Sequence, residues 1–372
     1  MNGNDWRGAV RDIEMAMRQK FITIQYLRGL AAILVLASHA LLYPLIEHDL
    51  TYGRLGWLGV ILFFVISGFI MVAVTGEGKF SALDFLRRRF VRIVPMYWAA
   101  TLLAAALALF APQLFKTTVY DGAELVMSLL FIPFYNPVSE GIHPLYKLGW
   151  TLNYEVFFYV CFALLAFLGA GARVVWLTIA FTALALIGAI FAPQPAIPQF
   201  YTSFMPLAFC AGAWLGLATL RGGVGALPQQ AIYAAAVVGL AALVEGFSLD
   251  RGIVEDGLAF IGFVTFASTL VLLAIRFEPV LPRIALLERI GDASYSIYLV
   301  HIYEVAILAG IAFKLLDPAN VWADYFVAAI SIIGGTVAGL IVYELIEKPA
   351  LRFFSGIFLP KRVPKPIAAP AE

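Results

Sequence analysis

Apolar runs long enough to cross a bilayer recur along almost the whole of this 372-residue chain. A helix needs roughly 17–25 mainly apolar residues to span the hydrocarbon. Such runs fall near 24–44, 57–75, 95–111, 149–169, 174–192, 201–219, 230–247, 257–275, 292–313 and 325–346. In lipid the backbone must satisfy its own hydrogen bonds, which leaves helical bundles and closed barrels. The sequence has none of the alternating ten-residue strands that mark a barrel. The expected fold is therefore an all-α integral membrane protein, a bundle of about ten transmembrane helices. Composition agrees: 62% of residues are hydrophobic, 13% are charged, and the mean hydropathy is +0.90. Those values lie outside the soluble globular range.

Basic residues orient the bundle, because cytoplasmic loops collect Lys and Arg. With a cytoplasmic N-terminus and ten alternating spans, nineteen basic residues fall inside, among them Arg87, Arg88, Arg89, Arg92, Arg276, Arg283 and Arg289. Only five fall outside: Arg54, Lys116, Lys147, Arg251 and Lys314. This asymmetry predicts that both termini are cytoplasmic. The short apolar piece 124–135, flanked by Pro133 and Pro137, reads as re-entrant or interfacial. Counting it as a span would place the basic 276–291 loop outside.

Residues 1–22 read as a cytoplasmic arm, 23–352 as the transmembrane domain and 353–372 as a cytoplasmic, Pro-rich tail. The polar first twenty residues do not resemble a cleavable signal. Cys161 and Cys210 lie in apolar runs without metal-ligand spacing and read as small buried hydrophobes. No metal and no nucleic-acid partner is expected. P-loop, dinucleotide-binding and nucleophile-elbow motifs do not occur.

Ionisable residues inside a span are costly and mark candidate sites. In the first span Arg28 and His39 are eleven positions apart. Eleven residues of helix turn back to within ~20° of the starting face and rise ~16 Å. Singly, each fits a snorkelling or packing role; together on one face they outline a path, with His39 suited to general-base chemistry. Before the third span, Arg88, Arg89 and Arg92 stand in a cluster denser than orientation needs. Arg89 and Arg92 share a helix face and suit a polyphosphate. At the fourth span Glu155 sits in apolar sequence and must be protonated, paired or beside a wet cavity. The ninth span carries Tyr298, His301 and Glu304 at i,i+3 spacing, a polar stripe that suits substrate binding or helix packing equally. The Phe63-Phe64-Val-Ile-Ser67-Gly68-Phe69 run suits close helix packing. His48 and His143 read as loop residues.

Six motifs then resemble one family in order: Arg28-Gly-Leu-Ala-Ala to His39; Phe-Phe-Val-Ile-Ser-Gly-Phe; Arg88-Arg89-x-x-Arg92-x-x-Pro95; Trp150-Thr-Leu-x-x-Glu155; Tyr295-Ser-x-Tyr298-Leu-x-His301; and Glu347-Lys-Pro349. Together they resemble the membrane-bound acyltransferase family 3, from about residue 22 to 352. The opening Ile24-Gln-Tyr-Leu-Arg28 is most similar to its exopolysaccharide (succinoglycan-type) O-acetyltransferase branch. The resemblance implies an O-acyltransferase of the bacterial inner membrane. It would move an acyl group, acetyl in the first place, from cytoplasmic acyl-CoA to a hydroxyl of a glycan or glycolipid at the outer face.

Carried over by motif, His39 becomes the catalytic histidine, Arg28 its helix partner, and Arg89 with Arg92, beside Arg88, the contacts to acetyl-CoA. Glu155 is then a further catalytic candidate, and Tyr298 and His301 are candidate substrate-binding residues. Membrane lipid is the surrounding partner, and a homo-oligomer is compatible with the sequence. The competing classes are a secondary transporter, which would show inverted repeats, and a non-catalytic glycan-assembly subunit. Neither repeats nor paired broken helices are visible in the sequence.

Overall fold

The computed structural model describes residues 21–45, 51–111, 119–138, 141–248, 253–315 and 321–359. The expected N-terminal arm up to residue 20, the Pro-rich tail from Pro360 and His48 lie outside them. The chain is almost wholly helical. In order come α1 (Ile22–Leu45), α2 (Thr51–Thr75), α3 (Ala82–Phe110) and α4 (Gly122–Leu129). A two-residue hairpin follows, β1 (Tyr135–Asn136) pairing antiparallel with β2 (Gly141–Ile142). Then come α5 (Trp150–Leu164), α6 (Ala170–Phe191), α7 (Ala196–Tyr201), α8 (Leu207–Leu220) and α9 (Gly223–Ala226). The chain ends with α10 (Gln229–Ser248), α11 (Ile253–Phe277), α12 (Ala285–Asp292), α13 (Ser294–Leu315), α14 (Val321–Val342) and α15 (Lys348–Phe358).

Among the described residues, eight helices are long and apolar enough to cross a membrane. The two other expected spans are shorter helices, α5 with 15 residues and α8 with 14. Fifteen residues rise about 22 Å, short of the ~30 Å hydrocarbon core. The chain leading into each is irregular but buried, through Leu145, Tyr146 and Leu148 before α5 and Thr202 and Met205 before α8. Non-helical backbone is tolerated at such depth where protein surrounds it. The piece expected to be re-entrant forms only the two turns of α4 before the hairpin. α3 begins at Ala82, so the arginine cluster is helical and continuous with its span through Pro95. Arg54, expected in a loop, lies within α2, where it is buried and donates to the Gly246 carbonyl. α15 runs across the expected tail boundary at residue 352.

α1 stands at the centre, packed by α2, α11, α12, α13 and α14. Its neighbours approach through glycines: a Cβ on Gly59 would lie 2.7 Å from the Ala31 carbonyl, and one on Gly291 2.1 Å from that of Gln25. α2 and α8 meet in the same way. A Cβ on Gly68 would sit 2.0 Å from the Phe209 carbonyl, and one on Gly212 1.8 Å from that of Val65. In lipid, helices associate through such close packing rather than through hydrophobic burial. The Phe-Phe-Val-Ile-Ser-Gly-Phe run thus packs as expected at Gly68, while Ser67 faces elsewhere. α6 and α10 are peripheral and turn Ile187, Ile190, Val237 and Val244 outward. Gly212→Val forces the α2–α8 backbones apart, and overpacking of this kind costs roughly 1–3 kcal/mol. A lowered melting temperature in detergent is the expected result; unchanged melting would place the contact elsewhere.

Candidate active site

Polar groups collect on α1, α2, α3, α5 and α13 around a cavity of about 520 Å³. α1 supplies Gln25 and Arg28, α3 supplies Arg88, Arg89 and Arg92, and α5 supplies Thr151, Glu155 and Tyr159. Ser67 comes from α2, Ser294, Tyr295 and Tyr298 from α13, and Leu351 and Ser355 from α15. Four guanidinia therefore face one space. Arg28 donates to Gln25 Oε1 at 3.1 Å. The Arg89 guanidinium lies 5.8 Å from the ring centre of Phe85 and 5.9 Å from that of Tyr159, with Nε buried and unpartnered. Arg92 lies over Tyr295 at 5.6 Å and forms an ion pair with Glu347. Arg87, the cluster's remaining member, turns to Asp84 at 3.7 Å and is exposed.

Glu347 is fully buried and also accepts from the Ser296 hydroxyl. It ends a π-helical turn, Tyr343–Glu347, inserted between α14 and α15. Such turns are rare and frequently sit at functional sites. In the sequence Glu347 stands out only as the first residue of the final Glu347-Lys-Pro349 motif. A carboxylate placed directly after a span, ahead of Lys348-Pro349, was the signal that it needed a buried cation.

Glu155 lines the cavity and accepts from Ser67 Oγ at 3.2 Å and from the Tyr159 hydroxyl. No hydrogen bond joins it to His39. The cavity thus balances four arginines against Glu155, with Glu347 behind Arg92. It has the excess positive charge and multiple N–H donors that hold a polyphosphate.

His39 is not part of that lining. It lies three turns along α1 from Arg28, and its partner is His301 of α13. His301 Nε2 is 3.2 Å from His39 Nδ1, and the ring centres are 5.1 Å apart. Each Nδ1 also faces a backbone carbonyl, Val35 at 2.9 Å and Ile297 at 3.1 Å. Carbonyls only accept, so with both rings neutral both Nδ1 atoms carry protons. His39 then shares its Nδ1–H between Val35 and His301 Nε2, which leaves His39 Nε2 with a lone pair. Among the described residues that Nε2 has no hydrogen-bond partner. His301 is fully buried, whereas His39 is partly exposed.

Arg28 is therefore grouped with the α3 arginines rather than with His39. The expected His301–Glu304 stripe is not joined by a hydrogen bond: both Glu304 oxygens are unpartnered and rest against Gly334 and Gly335. His143 packs over Gly141, and burial, with Lys147 nearby, lowers its pKa to about 4. Tyr298 stands between the cavity and the histidines. Its hydroxyl donates to the Leu148 carbonyl at 2.9 Å and lies 2.7 Å from Thr151 Oγ1, and its ring centre is 6.0 Å from that of His301.

A helical bundle of this kind, with an arginine and a histidine on its central helix, defines a multi-pass membrane protein with an intramembrane polar site. A family model described as an acyltransferase domain matches residues 21–344. The chain belongs to the acyltransferase family 3, and it is a membrane O-acyltransferase that transfers groups other than aminoacyl groups. It is 34% identical to the exopolysaccharide production protein ExoZ of Rhizobium meliloti, over 82% of this chain and 92% of that protein. It is 27% identical to the acyltransferase MdmB of Streptomyces mycarofaciens, over 88% of this chain and 90% of that one. Protein 2 in the picA locus of Rhizobium radiobacter is 31% identical over 31% of this chain and 65% of its own length. No solved structure matches.

Proposed function

We propose that this protein moves an acetyl group from cytoplasmic acetyl-CoA to a hydroxyl of an exopolysaccharide or related glycan precursor. The acceptor sits at the outer face of the bacterial inner membrane. The observation that carries this reading is the order of groups along α1: Arg28 beside the arginine cavity, His39 three turns further on. The basic residues of the sequence support ten spans with cytoplasmic termini, and in that topology the arginine end lies at the cytoplasm and His39 towards the outside. The name of the Rhizobium meliloti relative, an exopolysaccharide production protein, supports a glycan acceptor.

In this reading Arg28, Arg88, Arg89 and Arg92 hold the phosphates of the donor at the inner end. Glu347 and Gln25 keep Arg92 and Arg28 in place, and Tyr159 and Ser67 hold Glu155 at the cavity wall. His39 Nε2 takes the proton of the acceptor hydroxyl as that oxygen bonds to the thioester carbonyl carbon. The carbon–sulfur bond breaks, and the proton passes from His39 to the departing thiolate, giving ester and free CoA. His301 Nε2 accepts the His39 Nδ1–H and orients the ring. The same free Nε2 also suits a covalent acyl-histidine step.

Purified protein incubated with radiolabelled acetyl-CoA and a glycan acceptor tests the reading. Labelled acceptor or released CoA is expected. A hydrogen bond to a charged group contributes about 1.5–3 kcal/mol, so Arg89→Ala should weaken acetyl-CoA affinity roughly 10- to 100-fold. Wild-type protein that neither binds nor turns over acetyl-CoA would sink the donor assignment.

A further inference from the structure

The arginine cavity ends before it reaches the histidines, and three side chains close it. Phe63 of α2, Thr151 of α5 and Tyr298 of α13 all line its far end. Phe63 meets Tyr298 edge-on, with ring centres 6.0 Å apart. The Tyr298 hydroxyl is fastened on both sides, to the Leu148 carbonyl and the Thr151 hydroxyl. Thr151 and Tyr298 are buried, and Phe63 is half-buried.

The height of this wall follows from the helix contacts. Val60, next to it on α2, adjoins Gly59, whose added Cβ would touch the Ala31 carbonyl and the Val35 side chain of α1. Gly59 is therefore level with Ala31–Val35, and Phe63, four residues nearer the arginine end of the antiparallel α2, lies about one turn below that level, roughly two to three turns short of His39 along α1. On α13 the offset is smaller, because Tyr298 precedes His301 by three residues, about 4.5 Å of rise. Below the wall, lining residues on α2 run from Met71 up to Phe64, about 10 Å of helix, and Val60 borders the cavity one turn beyond Phe63.

We propose that Tyr298 and Phe63, with Thr151 behind them, form an acyl filter: the wall that the acyl group of the donor meets first and must pass to reach His39. This rests on the acyl-CoA reading above. A thioester whose phosphates are held by the arginines enters this cavity with its acyl group leading. Every added methylene must then fit against two aromatic rings, one of them anchored by hydrogen bonds. The filter selects the shortest acyl thioester and keeps longer ones from the histidines. It also separates the donor cavity from the outer half of the protein until the acyl group displaces the rings.

The test uses the full-length protein in lipid nanodiscs. CoA release from acetyl-, butyryl- and hexanoyl-CoA is measured with acceptor present, and CoA affinity is measured by calorimetry. Wild type is expected to prefer acetyl over butyryl at least about tenfold, and the preference should fall about tenfold or more in Tyr298→Ala and in Phe63→Ala. CoA affinity should stay within about twofold in both, since neither side chain reaches the arginines. Tyr298→Phe keeps the ring and should keep the preference, but without its hydroxyl anchor should release CoA faster in the absence of acceptor. Phe63→Val carries the same expectation with a smaller cavity, should either alanine variant fail to fold. An unchanged acetyl-to-butyryl ratio in folded variants that still bind CoA overturns the filter and leaves the donor reading standing. A wild type that turns over no acyl-CoA removes both.

Discussion

His39→Ala should lower acyl transfer by about 10²–10⁴-fold, the range ascribed to a positioned general base, while acetyl-CoA binding stays intact. The expectation follows from the hydrogen bonds of the pair. Val35 and His301 both engage Nδ1 of His39, so its Nε2 alone is free to take a proton. Alanine removes that lone pair and nothing from the arginine cavity, which His39 does not line. The loss should therefore fall on kcat rather than on donor affinity. His301→Ala leaves the base but removes the acceptor that orients it, so a smaller loss is expected. Its distinguishing readout is the pH profile: wild type should lose activity on the acid side, where His39 becomes protonated, and the midpoint should move in His301→Gln. Full transfer by folded His39→Ala would end both the direct and the acyl-histidine schemes.

Glu347→Ala should be the most destabilising single change at the site. Glu347 is fully shielded from solvent and is bound by Arg92 and Ser296; Arg92 is itself only 26% exposed. Removing one partner of a buried ion pair strands the other charge, at a cost of roughly 3–5 kcal/mol. The expected result is a large drop in melting temperature together with weaker acetyl-CoA binding, because Arg92 loses its fixed place on the cavity wall. Replacing both members, Arg92→Met with Glu347→Gln, should recover part of the stability without recovering the affinity. Melting of Glu347→Ala at the wild-type temperature would show that the pair contributes little.

Much of this site was legible before the fold was known, because the relevant physics is local. The eleven-residue interval between Arg28 and His39 sets their relation on any straight helix. The three-residue interval does the same for Arg89 and Arg92, and both pairs lie on helices. The intramembrane position of Glu155 called for protonation, a partner or a wet cavity; it accepts hydrogen bonds from Ser67 and Tyr159 and lines the cavity. What was not legible is which groups are neighbours across helices. His301 stands 262 residues from His39 in sequence, and no spacing rule connects them. Glu347 and Arg92 are 255 residues apart. The i,i+3 pattern pointed His301 towards Glu304, whereas α1 offered the nearer nitrogen.

The sequence alone determined that this chain is an all-α membrane protein, roughly where its helices lie, and which ionisable groups lipid would make costly. Those properties depend on run length and on helical period, and both are written along the chain. Only the tertiary structure decided that Arg28 joins the arginines of α3, that the two histidines stand within hydrogen-bonding distance, and that Tyr298 stands between the two groups. Lipid tails are as apolar as leucine, so hydrophobicity does not choose one neighbour over another. The choice was made by glycine contacts such as Gly59 on Ala31 and Gly291 on Gln25, which set α1 at the centre and turned its two ionisable groups to different partners.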